Sequence, residues 1–192
     1  MLKTCFDYTA AALGLILLSP LFLLLAIAIK LESKGAVFYL QTRVGLRGKE
    51  FKIFKFRSMR LNQGLALTIG ADARITCVGK IIRKCHLDEF AQLINVLRGE
   101  MSLVGPRPEN PKYTKFYKQK WKQVLSVKPG ITGLSQVELA KVEYAMLAKC
   151  QDPEATYIKK ILPPKLDTEI RYITTRSFAR DIQLILRTVL KF

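Results

Sequence analysis

The chain has 192 residues, of which 49% are hydrophobic; this composition excludes a disordered protein and allows one packed domain with an appendage. Lys and Arg total 32 against 15 Asp plus Glu, so the net charge of +17 favours anionic partners: nucleic acid, a phosphorylated substrate or an acidic lipid surface. The four cysteines lack metal-ligand spacing and His86 is the single histidine, which argues against a zinc site or a serine-hydrolase triad.

The first predicted element is an uncharged apolar segment, YTAAALGLILLSPLFLLLAIAI, at residues 8–29. It is long enough for a helix to cross a hydrocarbon core about 30 Å thick. Pro20 removes a backbone donor at its centre and Ser19 can hydrogen-bond to a nearby carbonyl, so we predict a sharp kink. Each half is then too short to span alone, which leaves both a re-entrant helix and a kinked spanning helix open. A cleaved signal peptide fits less well, since no clear cleavage site precedes Lys30.

The distribution of basic residues predicts the side of the membrane. Only Lys3 precedes the apolar segment, so the positive-inside tendency places the rest of the chain in the cytoplasm. Two later stretches, 113–123 and 178–192, interleave cations with aromatic and aliphatic residues at helical spacing. They are expected to be either helices on an anionic leaflet or ordinary core helices.

Local patterns indicate the next elements. Residues 36–59, rich in β-branched and aromatic side chains around a Gly-containing turn at 45–48, predict a β-hairpin followed by an extended basic stretch. Residues 60–76 carry turn residues and predict a loop, and residues 77–84 predict a short helix. Gly and Pro at 128–134 indicate a further turn.

Two adjacent acids, Asp88 and Glu89, begin the next predicted helix. Four apolar residues fall on one face of that helix, before a stop at Gly99: Leu87, Phe90, Ile94 and Leu97. Acids in a first turn can be mere partners of the helix dipole. Alternatively, the two acids take part in catalysis. Neighbouring side chains on a helix point about 100° apart, so the two carboxylates cannot contact one atom symmetrically. They can instead take different roles around a phosphate, while Mg²⁺ and nearby cations neutralise the charge of that phosphate.

A Pro-Arg-Pro sequence follows within MSLVGPRPE, residues 101–109. Pro106 fixes its own φ, and Pro108 biases Arg107 toward an extended backbone. The resulting stiff platform suits bidentate recognition of a phosphate by the guanidinium, although an ordinary rigid turn would have the same sequence.

Taken together, these residues resemble the bacterial sugar transferase family, the small monotopic phosphoglycosyl transferases. The resemblance rests on the break at Ser19 and Pro20, and on these stretches: KIFKFRSM (52–59), RITCVGKIIRKCHLDEFAQLINVLRGEMSLVGPRPE (74–109), KPGITGL (128–134) and RSFARDIQLILRTV (176–189). It implies an α+β, mostly helical fold. A re-entrant membrane helix would occupy residues 1–30, and a cytosolic, membrane-associated catalytic domain with a β-hairpin and interfacial amphipathic helices would occupy residues 31–192.

The resemblance also implies an activity. Family members of this kind move a sugar 1-phosphate from a UDP-sugar to undecaprenyl phosphate at the cytoplasmic face of the bacterial inner membrane, releasing UMP and initiating a surface glycan. Asp88 matches the acid that forms a covalent phosphosugar intermediate, and Glu89 matches the acid that acts with Mg²⁺, so both are expected metal ligands. The matching substrate-binding positions are Lys55, Arg83, Arg107 and Asp181. The expected partners are the UDP-sugar, undecaprenyl phosphate and anionic inner-membrane phospholipid, with no nucleic acid; a homodimer is left open.

Three features depart from the family pattern. His86 replaces a residue that is usually small and hydroxylated, and Ala91 replaces a common proline, so the geometry of the first turn can differ locally. Residues 138–165 lack an Asn-Gly-Arg motif found in many members, which leaves sugar recognition undetermined. Two functions of other classes also fit parts of the sequence: a membrane-anchored nucleic-acid-binding protein and a non-catalytic scaffold.

Overall fold

A computed structural model describes residues 2–60 and 74–190, so most of the loop predicted at 60–76 lies outside the described residues. The chain divides into two compact units. The first comprises residues 1–41 and 52–98, and the second comprises residues 42–51 and 99–192. The described residues are mostly helical with two small sheets, which confirms the predicted α+β, mostly helical class.

Helix α1 (Leu2–Glu32) contains the apolar segment. In the described residues it is the one helix that is long and apolar enough to cross a membrane. Pro20 lies inside α1 without ending it. The Ser19 Oγ donates a hydrogen bond to the Ile16 carbonyl at 2.7 Å, which confirms the predicted side-chain contact beside the proline.

One face of α1 packs against the rest of the first unit. Ala11 and Ile29, on either side of Pro20, are both buried. Between them, Gly14 faces Leu93 so closely that an added Cβ would lie 3.1 Å from its Cδ1. The opposite face exposes large apolar side chains, including Ile16, Leu17, Leu23, Leu24 and Leu31. An apolar surface of this extent indicates a non-aqueous neighbour.

The hairpin of β1 (Phe38–Val44) and β2 (Glu50–Phe56) confirms the prediction for residues 36–59. Its turn contains a 3₁₀ segment (Leu46–Gly48). The core of the first unit forms where β2 meets α1 and the helices that follow; its buried members are Leu25, Ile29, Phe56, Ile82 and Ala91.

Helix α2 (Cys77–Lys84) also confirms the prediction, but the single helix expected after His86 is wrong. The chain instead forms α3 (Leu87–Phe90) and α4 (Leu93–Leu97), separated by a turn. Two successive i to i−3 hydrogen bonds, Gln92 to Glu89 and Ile94 to Ala91, tighten this turn and rotate the buried face.

The predicted apolar face therefore differs from the observed one. Ala91, Leu93 and Val96 are buried, whereas Phe90 and Leu97 are exposed. The predicted stop is confirmed, since Gly99 has a φ of 74°.

In the second unit, β3 (Ser102–Val104) pairs in parallel with β4 (Gly130–Thr132), where the sequence indicated only a turn. The backbones approach so closely that a Cβ at Gly130 would lie 2.1 Å from the Gly105 nitrogen, so only glycine fits there.

The remaining helices of the second unit follow the chain order. They are α5 (Pro111–Thr114), a 3₁₀ segment (Gln119–Ser126), α6 (Leu134–Lys149), α7 (Pro153–Thr156), a π-helical turn (Tyr157–Ile161), α8 (Leu162–Thr175) and α9 (Phe178–Val189). The stretch 113–123 is not one helix, and its Tyr113 and Trp121 are buried in the core while Phe116 is exposed. Similarly, α9 buries Leu184 and exposes Val189.

Candidate active site

Three predicted site residues meet in the first unit. Lys55 lies on β2, and its Nζ is 3.6 Å from Asp88 Oδ2 and 3.6 Å from Glu89 Oε1 on α3. The three side chains are 19%, 18% and 21% exposed, so each is shielded yet within reach of a bound molecule. We call this group the Lys55 cluster.

The equal distances correct one expectation from the sequence. Adjacent acids on a helix were expected not to reach one atom symmetrically, but Asp88 and Glu89 do so. Helix α3 is a single turn, and the Glu89 side chain is one methylene longer than that of Asp88, so both oxygens reach the same ammonium. Because such a short helix aligns few peptide dipoles, a role as dipole partners explains these acids poorly.

A strained residue sets the direction of α3. His86 has φ 50° and ψ 25°, the left-handed conformation, and it joins the end of α2 to the start of α3. This conformation costs a residue with a Cβ about 1–2 kcal/mol. Such strain persists where the surrounding structure imposes it and is concentrated at functional sites. The position at which the sequence departs from the family pattern is therefore a left-handed residue two positions before Asp88.

Asn95 positions the strand that carries Lys55, and no sequence pattern identified it. Its side chain is fully buried on α4. The Asn95 Oδ1 accepts a hydrogen bond from the Phe54 N–H at 3.0 Å, and its Nδ2 donates to the Lys52 carbonyl at 2.8 Å. One amide therefore holds the β2 backbone just before Lys55.

Arg83 lies in the last turn of α2, shortly before His86 in the sequence. Its Nη1 donates a weak hydrogen bond to Met59 Sδ at 3.4 Å. The guanidinium is partly exposed, and its predicted role in substrate binding stays a prediction.

The Lys55 cluster has a donor set that fits Mg²⁺. The cluster brings the carboxylates of Asp88 and Glu89 together beside one ammonium. Mg²⁺ prefers oxygen ligands and is commonly held by one or two carboxylates together with substrate phosphates. No group of three or more His, Cys, Asp or Glu able to hold a metal occurs in residues 2–60 and 74–190, so oxygens of water and substrate would complete the shell.

Arg107 lies in the second unit, in the turn after β3. It is partly exposed, whereas Pro106 and Pro108 on either side are buried. Its side chain borders a small cavity that is also lined by Gly45, Tyr117 and Pro129. The two buried prolines thus fix the backbone, while Arg107 itself remains partly exposed.

Asp181 is also in the second unit, but it is buried, with 4% of its surface exposed. Its Oδ1 accepts a hydrogen bond from the Tyr172 hydroxyl at 2.7 Å, and this hydroxyl also lies 3.2 Å from the Val104 carbonyl. Asp181 therefore ties α9 to α8 and to the end of β3. Its predicted role in substrate binding stays a prediction.

The second unit contains a buried charged network that the sequence did not reveal. The Tyr157 hydroxyl donates to Glu109 Oε2 at 2.6 Å, and Lys165 Nζ lies 3.1 Å from the same oxygen and 2.7 Å from the hydroxyl. Arg43 Nη1 lies 3.7 Å from Glu109 Oε1. We call these four residues the Glu109 network.

Electrostatics follow directly from these contacts. Burial alone would raise the pKa of Glu109, but Lys165, the Tyr157 hydroxyl, the Asn110 N–H and Arg43 together hold that pKa below its ordinary value. Burial and the adjacent Glu109 charge raise the pKa of Tyr157. The network therefore keeps Glu109 ionised and Tyr157 protonated, and it holds the residue directly after Pro108.

Comparisons with known proteins identify the family that the chain matches. The bacterial sugar transferase family matches residues 1–192. A UDP-glucose:undecaprenyl-phosphate glucose-1-phosphate transferase of Caulobacter vibrioides is 39% identical, over 97% of this chain and 68% of its own length. A UDP-N-acetylgalactosamine-undecaprenyl-phosphate N-acetylgalactosaminephosphotransferase of Aeromonas hydrophila is 36% identical, over 98% of this chain but 43% of its own length. The exopolysaccharide production protein ExoY of Rhizobium meliloti is 39% identical, over 71% of this chain and 69% of its own length.

Proposed function

This chain belongs to the bacterial sugar transferase family, and from that membership we propose that it transfers a sugar 1-phosphate from a UDP-sugar to undecaprenyl phosphate and releases UMP. The product would initiate a surface glycan such as an exopolysaccharide. The observation that carries the proposal is the Lys55 cluster, in which one ammonium is shared by two adjacent carboxylates.

The proposed first step forms a bond between the Asp88 carboxylate and the phosphorus next to the sugar. The bond from that phosphorus to the bridging oxygen breaks, and its electron pair leaves with UMP. Asp88 then carries the sugar phosphate as an acyl phosphate. In the second step an oxygen of undecaprenyl phosphate attacks the same phosphorus, which frees the Asp88 carboxylate and completes a diphosphate-linked sugar.

Lys55 is well placed to support both steps. An anionic nucleophile approaching an anionic diphosphate meets repulsion, which a fixed ammonium at 3.6 Å from the nucleophile offsets. Because Lys55 contacts both acids at the limit of an ion pair, its ammonium can turn toward a phosphoryl oxygen when substrate binds. Mg²⁺ held by Asp88 and Glu89 would further neutralise the diphosphate charge.

We also propose that α1 is re-entrant at the cytoplasmic face of the inner membrane. Gly14 before Pro20 and Ile29 after it both pack on elements of the first unit that bear polar site residues. A spanning helix would carry its N-terminal half, and the α4 residues that pack on it, across the hydrocarbon core. A helix that enters and leaves by one face avoids that cost, and its exposed apolar face would meet lipid.

The covalent step can be tested by trapping. Incubation of the chain with a reactive UDP-sugar, a rapid acid quench and tryptic digestion should place a phosphosugar mass on the peptide 85–98, which contains Asp88. Asp88→Asn should lose the adduct and lower UMP release by at least about 10³-fold. Asp152→Asn is the matched control, because Asp152 caps α7 at an exposed position and asparagine is an equally good cap.

An adduct on another residue, or full turnover by Asp88→Asn, would refute the covalent assignment. A panel of UDP-sugars should be screened first, since the relatives are named for different sugars. EDTA should stop UMP release, and added Mg²⁺ should restore it. Activity that persists in EDTA would refute the role of Mg²⁺. The trapping result would then be the test of the Asp88 step.

Topology needs a separate test. In a background with all four cysteines replaced by serine, a cysteine at position 2 and one at position 34 should react with an impermeant maleimide from the same side of the membrane. Position 34 is chosen because the neighbouring Gly35 has a φ of 122° that disfavours a side chain. Labelling from opposite sides would establish a spanning helix.

A further inference from the structure

The backbone around Arg107 has few ways of being held. Pro106 and Pro108 lack an N–H, so the Arg107 N–H is the one backbone donor of the Pro-Arg-Pro tripeptide. This N–H donates to Oε1 of Glu169, on α8, at 3.1 Å. A side chain from 62 residues further along the chain therefore holds the nitrogen of the residue whose guanidinium is expected to meet phosphate.

Within residues 2–60 and 74–190, Glu169 accepts one other hydrogen bond. The hydroxyl of Ser135, in the first turn of α6, donates a short hydrogen bond to the same Oε1. Ser135 and Glu169 are 3% and 2% exposed, so the pair is sealed from solvent. In the described residues the second carboxyl oxygen, Oε2, has no hydrogen-bond partner.

This arrangement is costly for the fold alone. A buried carboxyl with an unsatisfied oxygen loses its hydration without full compensation, and a buried apolar residue of similar size would avoid the penalty. Burial also raises the pKa of Glu169, despite the contacts from Ser135 and the Arg107 N–H. The carboxyl accepts from the Ser135 hydroxyl and from the Arg107 N–H, and the second contact points to a role at Arg107.

The other contacts of the turn show why this one matters. The Gly105 N–H donates to the Thr132 carbonyl at 3.0 Å, and the Gly130 N–H donates to the Pro106 carbonyl at 2.9 Å. After the tripeptide, the Glu109 carbonyl accepts from the Val44 N–H at 2.9 Å. The turn is thus fixed before and after Arg107, and Glu169 supplies the anchor at the arginine itself.

We propose that Glu169 is a positioning residue for the sugar-phosphate transfer: with Ser135 it fixes the Arg107 backbone, so that the guanidinium keeps one direction toward the diphosphate of the UDP-sugar. This inference rests on the proposed function. A displacement of a positioning group by about 1 Å can cost as much as 100-fold in rate, so loss of this anchor has a measurable effect.

Glu169→Ala removes the acceptor, whereas Glu169→Gln keeps a carbonyl oxygen for the Arg107 N–H and an amide that can contact Ser135. In the Asp88→Asn background, where turnover is blocked, Glu169→Ala should weaken UDP-sugar binding by about 10- to 100-fold. Glu169→Gln should bind within about threefold of the parent, which rescues the position without the charge. Asp167→Asn, an exposed carboxylate on the same helix, is the control and should bind like the parent.

A double variant separates positioning from general loosening of the fold. With Arg107→Ala already present, Glu169→Ala should cause little further loss of binding, because it acts through the missing side chain. Losses that multiply in the double variant, or parental binding by a folded Glu169→Ala protein, would overturn the proposal. If Glu169→Ala does not fold, Ser135→Ala replaces it, with an expected loss of about threefold, and unchanged binding there would overturn the proposal.

Turnover by the unsubstituted chain distinguishes this inference from its premise. UMP release with normal kinetics, together with no coupling between Glu169 and Arg107, refutes the positioning role and leaves the proposed function intact. Failure of the unsubstituted chain to release UMP from any UDP-sugar refutes both.

Discussion

The Lys55 cluster and the Glu109 network both pair carboxylates with lysine, but they do so in opposite surroundings. In the cluster, one ammonium contacts two acids at 3.6 Å, and each side chain is about one-fifth exposed. In the network, a single carboxylate that is 5% exposed receives a tyrosine hydroxyl, a lysine and an arginine, with contacts as short as 2.6 Å.

The difference separates acids that can react from acids that hold the chain together. A carboxylate with several buried partners is ionised, fixed and inaccessible, so it stabilises a fold but cannot attack a substrate. Partly exposed acids beside a lysine at 3.6 Å keep the access to solvent that the proposed nucleophilic step and metal binding require. Burial and pairing therefore indicate function here more directly than the identity of the residues does.

The largest expected effect is on turnover when the shared cation is removed. Lys55→Met removes the ammonium that lies beside both Asp88 and Glu89, and it should lower kcat for UMP release by about 10²- to 10³-fold. The unfolding midpoint should change little, because a partly exposed ion pair contributes little to stability.

Lys52→Met is the matched control, since Lys52 is exposed on the same strand. Its turnover should equal that of the parent. A Lys55→Met protein with full activity would show that the cluster is not catalytic. A Lys55→Met protein that unfolds at a much lower temperature would show that the Lys55 cluster stabilises the fold, as the Glu109 network is expected to do.

The reverse result is expected from Lys165→Met. Removing this lysine leaves Glu109 buried with less compensating charge, which should lower the free energy of unfolding by about 3 kcal/mol, measured by denaturant titration. Lys112→Met, at the exposed pair with Glu154, should leave the unfolding midpoint unchanged. If both substitutions have the same small effect, burial does not distinguish these pairs.

Stability should also depend on pH in opposite directions at two buried acids. The pKa of Glu109 is lowered by folding, so its contribution is present above the unfolded value of about 4.3 and is lost as pH falls through the folded pKa. The pKa of Glu169 is raised, so its contribution is present below about 4.3 and is lost as pH rises through the folded pKa.

Unfolding titrations from pH 3 to 8 can separate the two acids. The stability gap between the parent and Glu109→Gln should shrink as pH falls, whereas Glu169→Gln should gain stability relative to the parent as pH rises. Parallel curves for the parent and both variants would contradict the assigned directions.

The smallest expected effect concerns the turn before Asp88. Glycine at position 86 would relieve the left-handed strain of His86, so His86→Gly should raise the free energy of unfolding by about 1 kcal/mol. His86→Ala retains a Cβ and should show no such gain. If alanine and glycine behave alike, backbone strain at this position is not what directs α3.

Local patterns predicted some of these features and not others. The hairpin and α2 followed from short-range patterning, and Lys55, Asp88 and Glu89 were identified by family resemblance before the structure placed them together. The break between α3 and α4 was missed because two tightened turns shift the helical phase. Asn95 and Glu169 gave no signal, since a polar residue in an amphipathic helix is usually a solvent contact, and their partners are distant in sequence.

The end of α1 has a consequence for anyone preparing a soluble version of this protein. The buried Arg57 lies two residues after Lys55. It donates hydrogen bonds to the carbonyls of Ile29, Ser33 and Lys34, at and just after the end of α1. Glu32 accepts from the first N–H groups of α2, the helix that carries Arg83. Deleting α1 would remove the Ile29 carbonyl that accepts from Arg57 and the Glu32 carboxylate that accepts from α2, so removing the apolar segment to ease purification would weaken the support of the segment that carries Lys55 and of the helix that carries Arg83.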